Sequence, residues 1–228
     1  MLARLCPNWY RALVVLTIAV PCAATSSAAE PKVLFEENFV DKLNQGWSWV
    51  RESPKHWRLE QGALVVETLP GSLWQSENNS RNLLVRPAPA AAKEGFAVEM
   101  LLDNQPKKQF EHAGIVCYYD DDNWVAFNKE FIGKSELLLI SETKGKPLLP
   151  CPEKAYSERE VWLRMIVKDG KVTGQYRGSA KDPWQTIGER TLPPSEKPLQ
   201  IGLLSGYGEE KPQRHARYRS FRMLQLEQ

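Results

Sequence analysis

The stretch Ala113-Gly114-Ile115-Val116-Cys117-Tyr118-Tyr119, then Asp120-Asp121-Asp122-Asn123, then Trp124-Val125-Ala126-Phe127-Asn128 decides the fold. A largely apolar run enters a cluster of turn formers and a second apolar run leaves it. That pattern predicts two antiparallel strands joined at an acidic tip. Side chains alternate along a strand, so Tyr118 lies off the face that carries Ile115 and Cys117.

The same reading extends in both directions. Phe96, Val98, Met100 and Leu102 fall on one parity of a strand, with Ala97, Glu99 and Leu101 on the other. Val161, Leu163, Met165 and Val167 repeat the pattern against Trp162, Arg164 and Ile166. Between them and the next strand, Lys168-Asp169-Gly170-Lys171 is an Asp-Gly hairpin signal. Further short segments at 33–39, 47–51, 57–59, 63–67, 82–86, 136–142, 172–177, 199–205 and 218–226 give roughly a dozen strands. No amphipathic helix stands out, although 88–93 has room for one turn. Frequent strands without intervening helices predict an all-β, two-sheet antiparallel sandwich of jelly-roll type.

Residues 1–29 read as a secretory signal. Arg4 and Arg11 make a basic start, 12–20 is a short apolar stretch, and Ser27-Ala28-Ala29 offers small residues before Glu30. An uncleaved anchor and a lipid attachment at Cys22 are the other readings; Pro21 fits lipid attachment poorly. The expectation is a secreted or periplasmic protein with one domain over 30–228. Beyond the leader no apolar run approaches the roughly 20 residues of a spanning helix, so no membrane is expected in the mature form.

Removing two arginines leaves 28 basic and 28 acidic residues. A zero net charge argues against nucleic acid as a partner, because backbone binding needs a basic excess. Cys117 and Cys151 are the mature cysteines, and two free thiols are favoured over a bridge. With His56, His112 and His215 they make no zinc-type spacing. No Gly-x-Ser-x-Gly elbow and no phosphate-cradling glycine loop occurs. Oligomeric state is not legible.

A family resemblance rests on a series of residues in order. These are Phe39-Val40-Asp41, Gly46-Trp47-Ser48-Trp49-Val50-Arg51-Glu52-Ser53-Pro54, Trp57-Arg58-Leu59, Gly62-Ala63-Leu64 and Asn82-Leu83-Leu84-Val85-Arg86. The run 113–123, Val161-Trp162-Leu163-Arg164, Tyr176 and Trp184 complete it. Over 33–226 the chain resembles the concanavalin A-like jelly-roll domains grouped as domain-of-unknown-function 1349. Those are related to the β-sandwich at the C-terminus of family 43 glycosidases. The resemblance implies two stacked sheets with a concave face, and carries over no catalytic residue.

The expected function is a lectin-like module that binds carbohydrate on its concave sheet without catalysis. The alternatives are a glycoside hydrolase or related sugar-cleaving enzyme, and a structural or interaction module with no small ligand. Flat indoles suit the C–H faces of sugar rings, and a guanidinium fork suits hydroxyls. Trp47, Trp49 and Arg51 share a face by parity, and Trp74 sits among turn residues. Arg51, Glu99, Tyr118 and Arg164 are expected to converge on one surface. The plain structural alternative is that the indoles are core and the charges pair with each other. A hydrolase needs two carboxyls, for which Glu99 and Glu130 are the candidates. No cofactor is required, although Asp120 and Asp122 could offer oxygens to calcium.

Overall fold

In a computed structural model, residues 31–75, 77–90 and 94–226 are described. The secretory leader expected at 1–29, and half of the single turn expected at 88–93, lie outside them. The unit 31–228 is built from sixteen strands, β1 (Val33–Glu37), β2 (Ser48–Val50), β3 (Trp57–Glu60), β4 (Ala63–Glu67), β5 (Leu83–Pro87), β6 (Phe96–Asp103), β7 (His112–Asp120), β8 (Asn123–Phe131), β9 (Ser135–Thr143), β10 (Lys146–Pro147), β11 (Glu153–Ala155), β12 (Glu160–Lys168), β13 (Lys171–Arg177), β14 (Gln185–Thr191), β15 (Gln200–Gly206) and β16 (His215–Gln225). A 3-10 turn, Pro54–His56, lies between β2 and β3. Among the described residues no helix is long and apolar enough to cross a membrane.

The strands form two eight-stranded sheets. The first runs β14-β13-β12-β6-β16-β4-β3, with β1 also on β16. The second runs β10-β9-β8-β7-β15-β5-β2, with β11 also on β9. Every pairing is antiparallel. This is the all-β, two-sheet antiparallel sandwich that the alternating pattern predicts.

The predicted parities hold. Phe96, Val98, Met100 and Leu102 from β6 meet Val161, Leu163, Met165 and Val167 from β12 in the core between the sheets. Opposite them stand Ile115, Cys117, Val125, Phe127, Leu137 and Leu139 of the second sheet. Each such side chain contributes roughly 1.5–3 kcal/mol by leaving water. Lys129 points into the same layer and is fully buried. Its ammonium donates to the carbonyls of Asn104 (2.7 Å), Glu158 and Arg159 (3.1 Å), which closes that end of the core.

An antiparallel sheet commonly keeps one face apolar and leaves the other to water. The second sheet departs from that rule. On its outer face Leu83, Val85, Val116, Trp124, Ala126, Leu138, Ile140 and Leu204 form a second apolar cluster, joined by Leu73. Seven consecutive residues in each of β7, β8 and β9 are buried as a result. Something must cover that face, and two segments outside the strands do so.

Candidate functional site

The register places rows of outward side chains across the second sheet. His112 stands opposite Glu130, Gly114 opposite Asn128, Val116 opposite Ala126 and Tyr118 opposite Trp124. On the next strand Glu136, Leu138, Ile140 and Glu142 continue the four rows. On the other side Gly206, Leu204, Gly202 and Gln200 do so. The centre of this floor is made of small residues, and that leaves it hollow. A Cβ at Gly114 would lie 2.1 Å from the Phe127 carbonyl oxygen and 2.6 Å from Asn128 Oδ1. A Cβ at Gly206 would lie 2.9 Å from His112 Nε2. Glycine is therefore what lets the amide and the imidazole lie flat on the sheet.

Two walls rise over the hollow. One is the segment 69–75, held by the Tyr207 amide donating to Gly71 O at 2.8 Å and the Gln75 amide donating to Glu142 Oε1 at 2.7 Å. It carries Ser72, Leu73 and Trp74. The other is the segment 148–153. The Leu148 amide donates to Ser141 O at 3.0 Å, and Arg190 donates to the carbonyls of Leu139, Leu148 and Pro150. Leu149, Pro150 and Cys151 line this side. Phe110, His112 and Tyr207 close one end, with ring centroids 5.9–6.0 Å from Tyr207. The space enclosed is about 650 Å³, within the ~300–1,000 Å³ range of small-molecule sites.

Three polar groups of this cavity, Asn128, Glu130 and His112, sit together on neighbouring rows of its floor, while Ser72 and Glu153 belong to the walls. Glu130 is 7% exposed, and its carboxyl is pushed up to about 8 by burial and then by the charge of Glu136. At neutral pH it is a neutral carboxylic acid able to donate a proton. His112 shares a hydrogen bond of 2.9 Å between Nδ1 and Phe110 O. Burial pulls its imidazolium form down, so it too is neutral. Asn128 is 3% exposed, and its Oδ1 accepts nothing from the protein. Elsewhere the donors are already used. Trp124 Nε1 donates to Asp121 O at 3.1 Å, and Tyr207 OH to Glu77 at 2.7 Å.

The residues singled out from sequence scatter across the molecule. Trp74 and Glu130 line the cavity. Arg51 and Tyr118 meet at the acidic hairpin tip. Arg51 grips Asp121 with two bonds of 2.6 and 2.9 Å, and Tyr118 OH donates to the same carboxylate at 2.8 Å. Glu99 and Arg164 are on the first sheet, where the buried Glu99 carboxylate accepts from Arg164 Nε at 2.7 Å and from Arg222 at 2.8 Å. The expected convergence of Arg51, Glu99, Tyr118 and Arg164 is therefore corrected. They stand on the outer faces of two different sheets, an assignment that parity within a strand does not reveal. Arg51 also leaves the strand parity assumed for it, because β2 ends at Val50 and Arg51 has φ +53°.

Trp47 and Trp49 are half-buried at the rim of the main core rather than open to a guest. Trp47 packs 5.1 Å from Phe221 and donates from Nε1 to Glu37 at 3.0 Å. Trp49 lies 4.8 Å from Trp57. The acidic tip is internally paired: Asp120 accepts from Asn123 and Lys197, and Asp122 accepts from Asn78. No group of three or more His, Cys, Asp or Glu is placed to hold a metal ion among the described residues. Cys117 and Cys151 are free, the first inside the core. Asn128, His112, Trp124 and Tyr207 escaped sequence reasoning as site residues. The signal for the first was present, since an amide closing an apolar strand opposite a glycine has no packing purpose.

Comparison with known proteins supports the same architecture. The profile of the β-xylosidase C-terminal concanavalin A-like domain matches residues 35–195. The chain belongs to that family. The match speaks for the family 43 kinship; membership of domain-of-unknown-function 1349 stays an expectation. The GH43 BlXynB protein of Bacillus licheniformis superposes with a TM-score of 0.74 at 19% identity, over 84% of this chain and 39% of that one. The xylan β-1,4-xylosidase of Bacillus halodurans gives 0.65 at 18% identity, over 83% and 38%. A functionally unknown protein from Saccharomyces cerevisiae gives 0.61 at 17% identity, over 80% and 98%. The chain thus spans about two fifths of the length of the two bacterial proteins. No curated protein sequence matches it.

Proposed function

We propose that this protein is an exported, non-catalytic carbohydrate-binding module that takes its ligand in the cavity on the outer face of the second sheet. The carrying observation is the cavity itself. It brings aromatic rings together with three polar groups, Asn128, Glu130 and His112, that retain unused bonding capacity. Family membership makes a sugar the natural class, and the relatives' names point to xylan-derived sugars. The apolar side of a sugar ring would lie on Trp74, with its hydroxyls toward the polar end. Export rests on the leader read at 1–29. The reading uses no cofactor, nucleic acid or membrane.

A hydrolase is the second reading, favoured by one observation. Glu130 and Glu136 are directly paired across β8 and β9. Both, however, rise from the same floor, whereas glycoside hydrolysis needs carboxyls flanking the scissile bond. The expected result is saturable binding of xylo-oligosaccharides by calorimetry with no release of reducing sugar. A broad panel of plant, algal and bacterial glycans without one binder would overturn the proposal.

A further inference from the structure

The cavity has a marked polarity along its length, and its mouth is unusually apolar. Asn128, Glu130 and His112 occupy one end. Leu138 and Leu204 flank Asn128 in its own row, and beyond them the floor and wall are Ile140 and Leu73. At the rim Phe110, Ile132 and Leu149 stay 46%, 36% and 63% exposed. Large apolar groups held in water around one opening mark a surface that meets an apolar partner group.

An unmodified sugar fits half of this arrangement. Its ring hydroxyls ring the whole molecule, and each hydroxyl buried without a partner carries a desolvation cost. The aliphatic side supplies few partners: Ser72 Oγ already accepts from the Trp74 amide at 2.6 Å, and the donors of Trp124 and Tyr207 are committed elsewhere. A charged sugar fits worse, since no cation lines the cavity and Glu130 resists ionisation there.

Building on the carbohydrate reading, we propose that the cavity takes a neutral sugar unit carrying an aromatic group, as an aryl glycoside or aromatic ester. The aromatic group lies among Leu73, Leu138, Ile140 and Leu204, and the sugar hydroxyls meet Asn128 and Glu130. Xylose units bearing such a group are the chemical class concerned.

The test is calorimetric titration of the full chain with phenyl β-D-xylopyranoside, methyl β-D-xylopyranoside, xylotriose and phenol. The phenyl glycoside is expected to bind about tenfold or more tighter than the methyl glycoside, as burying one aromatic ring implies. Leu149→Ala, an exposed rim change with little bearing on folding, is expected to weaken the phenyl glycoside several-fold more than the methyl glycoside. Equal affinity for phenyl and methyl glycosides would overturn this inference while leaving the carbohydrate reading in place. Phenol binding as tightly as its xyloside would overturn both; no binding by any of the four would overturn this inference, and the broad glycan panel then decides the carbohydrate reading.

Discussion

Glu130 stands directly opposite His112 across the β7–β8 ladder, and both side chains are uncharged at neutral pH. Burial is the first cause in each case, and it acts in opposite directions on an acid and a base. The other titratable groups around this point are Glu111, whose charge acts on His112, Glu136, which Lys134 pairs at 3.2 Å, Glu153, Tyr207 and the Cys151 thiol. A cavity floor that keeps this pair neutral is suited to an uncharged guest.

The pair gives a stability profile with a worked sign. Glu130 binds its proton more tightly when folded, so its contribution is present at low pH. That contribution is lost as pH rises from about 4.5 to about 8. His112 has the reverse sign and costs stability as pH falls through its ordinary value of about 6.5. Glu130→Gln is therefore expected to remove much of the alkaline loss, on the order of a few kcal/mol between pH 6 and 9. Thermal melts of both proteins at the two pH values check it, and an unchanged alkaline slope would contradict it.

Trp74 forms part of a wall without anchoring the core. Trp74→Ala is expected to weaken sugar binding about tenfold, the worth of one aromatic stack, with a change in stability under about 1 kcal/mol. Calorimetry together with urea unfolding separates the two effects.

Glu99 serves the other sheet. Its buried carboxylate is the shared acceptor for Arg164 and Arg222, so Glu99→Gln leaves two guanidinium groups short of a charge partner. A loss of about 1–3 kcal/mol in urea unfolding is expected, with sugar binding unaltered under conditions where the variant is folded. Lost affinity in a fully folded Glu99→Gln protein would restore this residue as a site candidate.

Gly114→Ala tests the hollow floor. The added methyl meets the Phe127 carbonyl oxygen, which the β7–β8 ladder holds in place. A cost of about 1–3 kcal/mol is expected, with displacement of the Asn128 amide visible as a shifted side-chain NMR signal.

The alternation of β6 and β12, the hairpin at 120–123 and the absence of helical periodicity made the sandwich legible from sequence. Local patterning determines which side of a strand is apolar. Sheet membership depends on pairing between distant strands, and this is why Glu99 and Tyr118 were expected on one surface. Trp47 and Trp49 were misread for a related reason. Indoles at a core rim and in a groove share the same local pattern, and only the neighbours Phe221 and Trp57 distinguish them. The cavity needed one more fact, that β7, β8 and β9 are apolar on both faces. Continuous apolar runs announce that, but the covering segments 69–75 and 148–153 carry no regular signal.

The central claim is that the ligand enters the cavity over the second sheet and not the outer face of the first. There the Trp184 ring already carries the Arg164 and Arg177 guanidiniums at 4.2 Å. The direct measurement is the set of indole N–H NMR signals during a titration with phenyl β-D-xylopyranoside. Saturable shifts at Trp74 and Trp124, with Trp162 and Trp184 unmoved, are predicted. Shifts at Trp162 and Trp184 with Trp74 and Trp124 still would contradict the account.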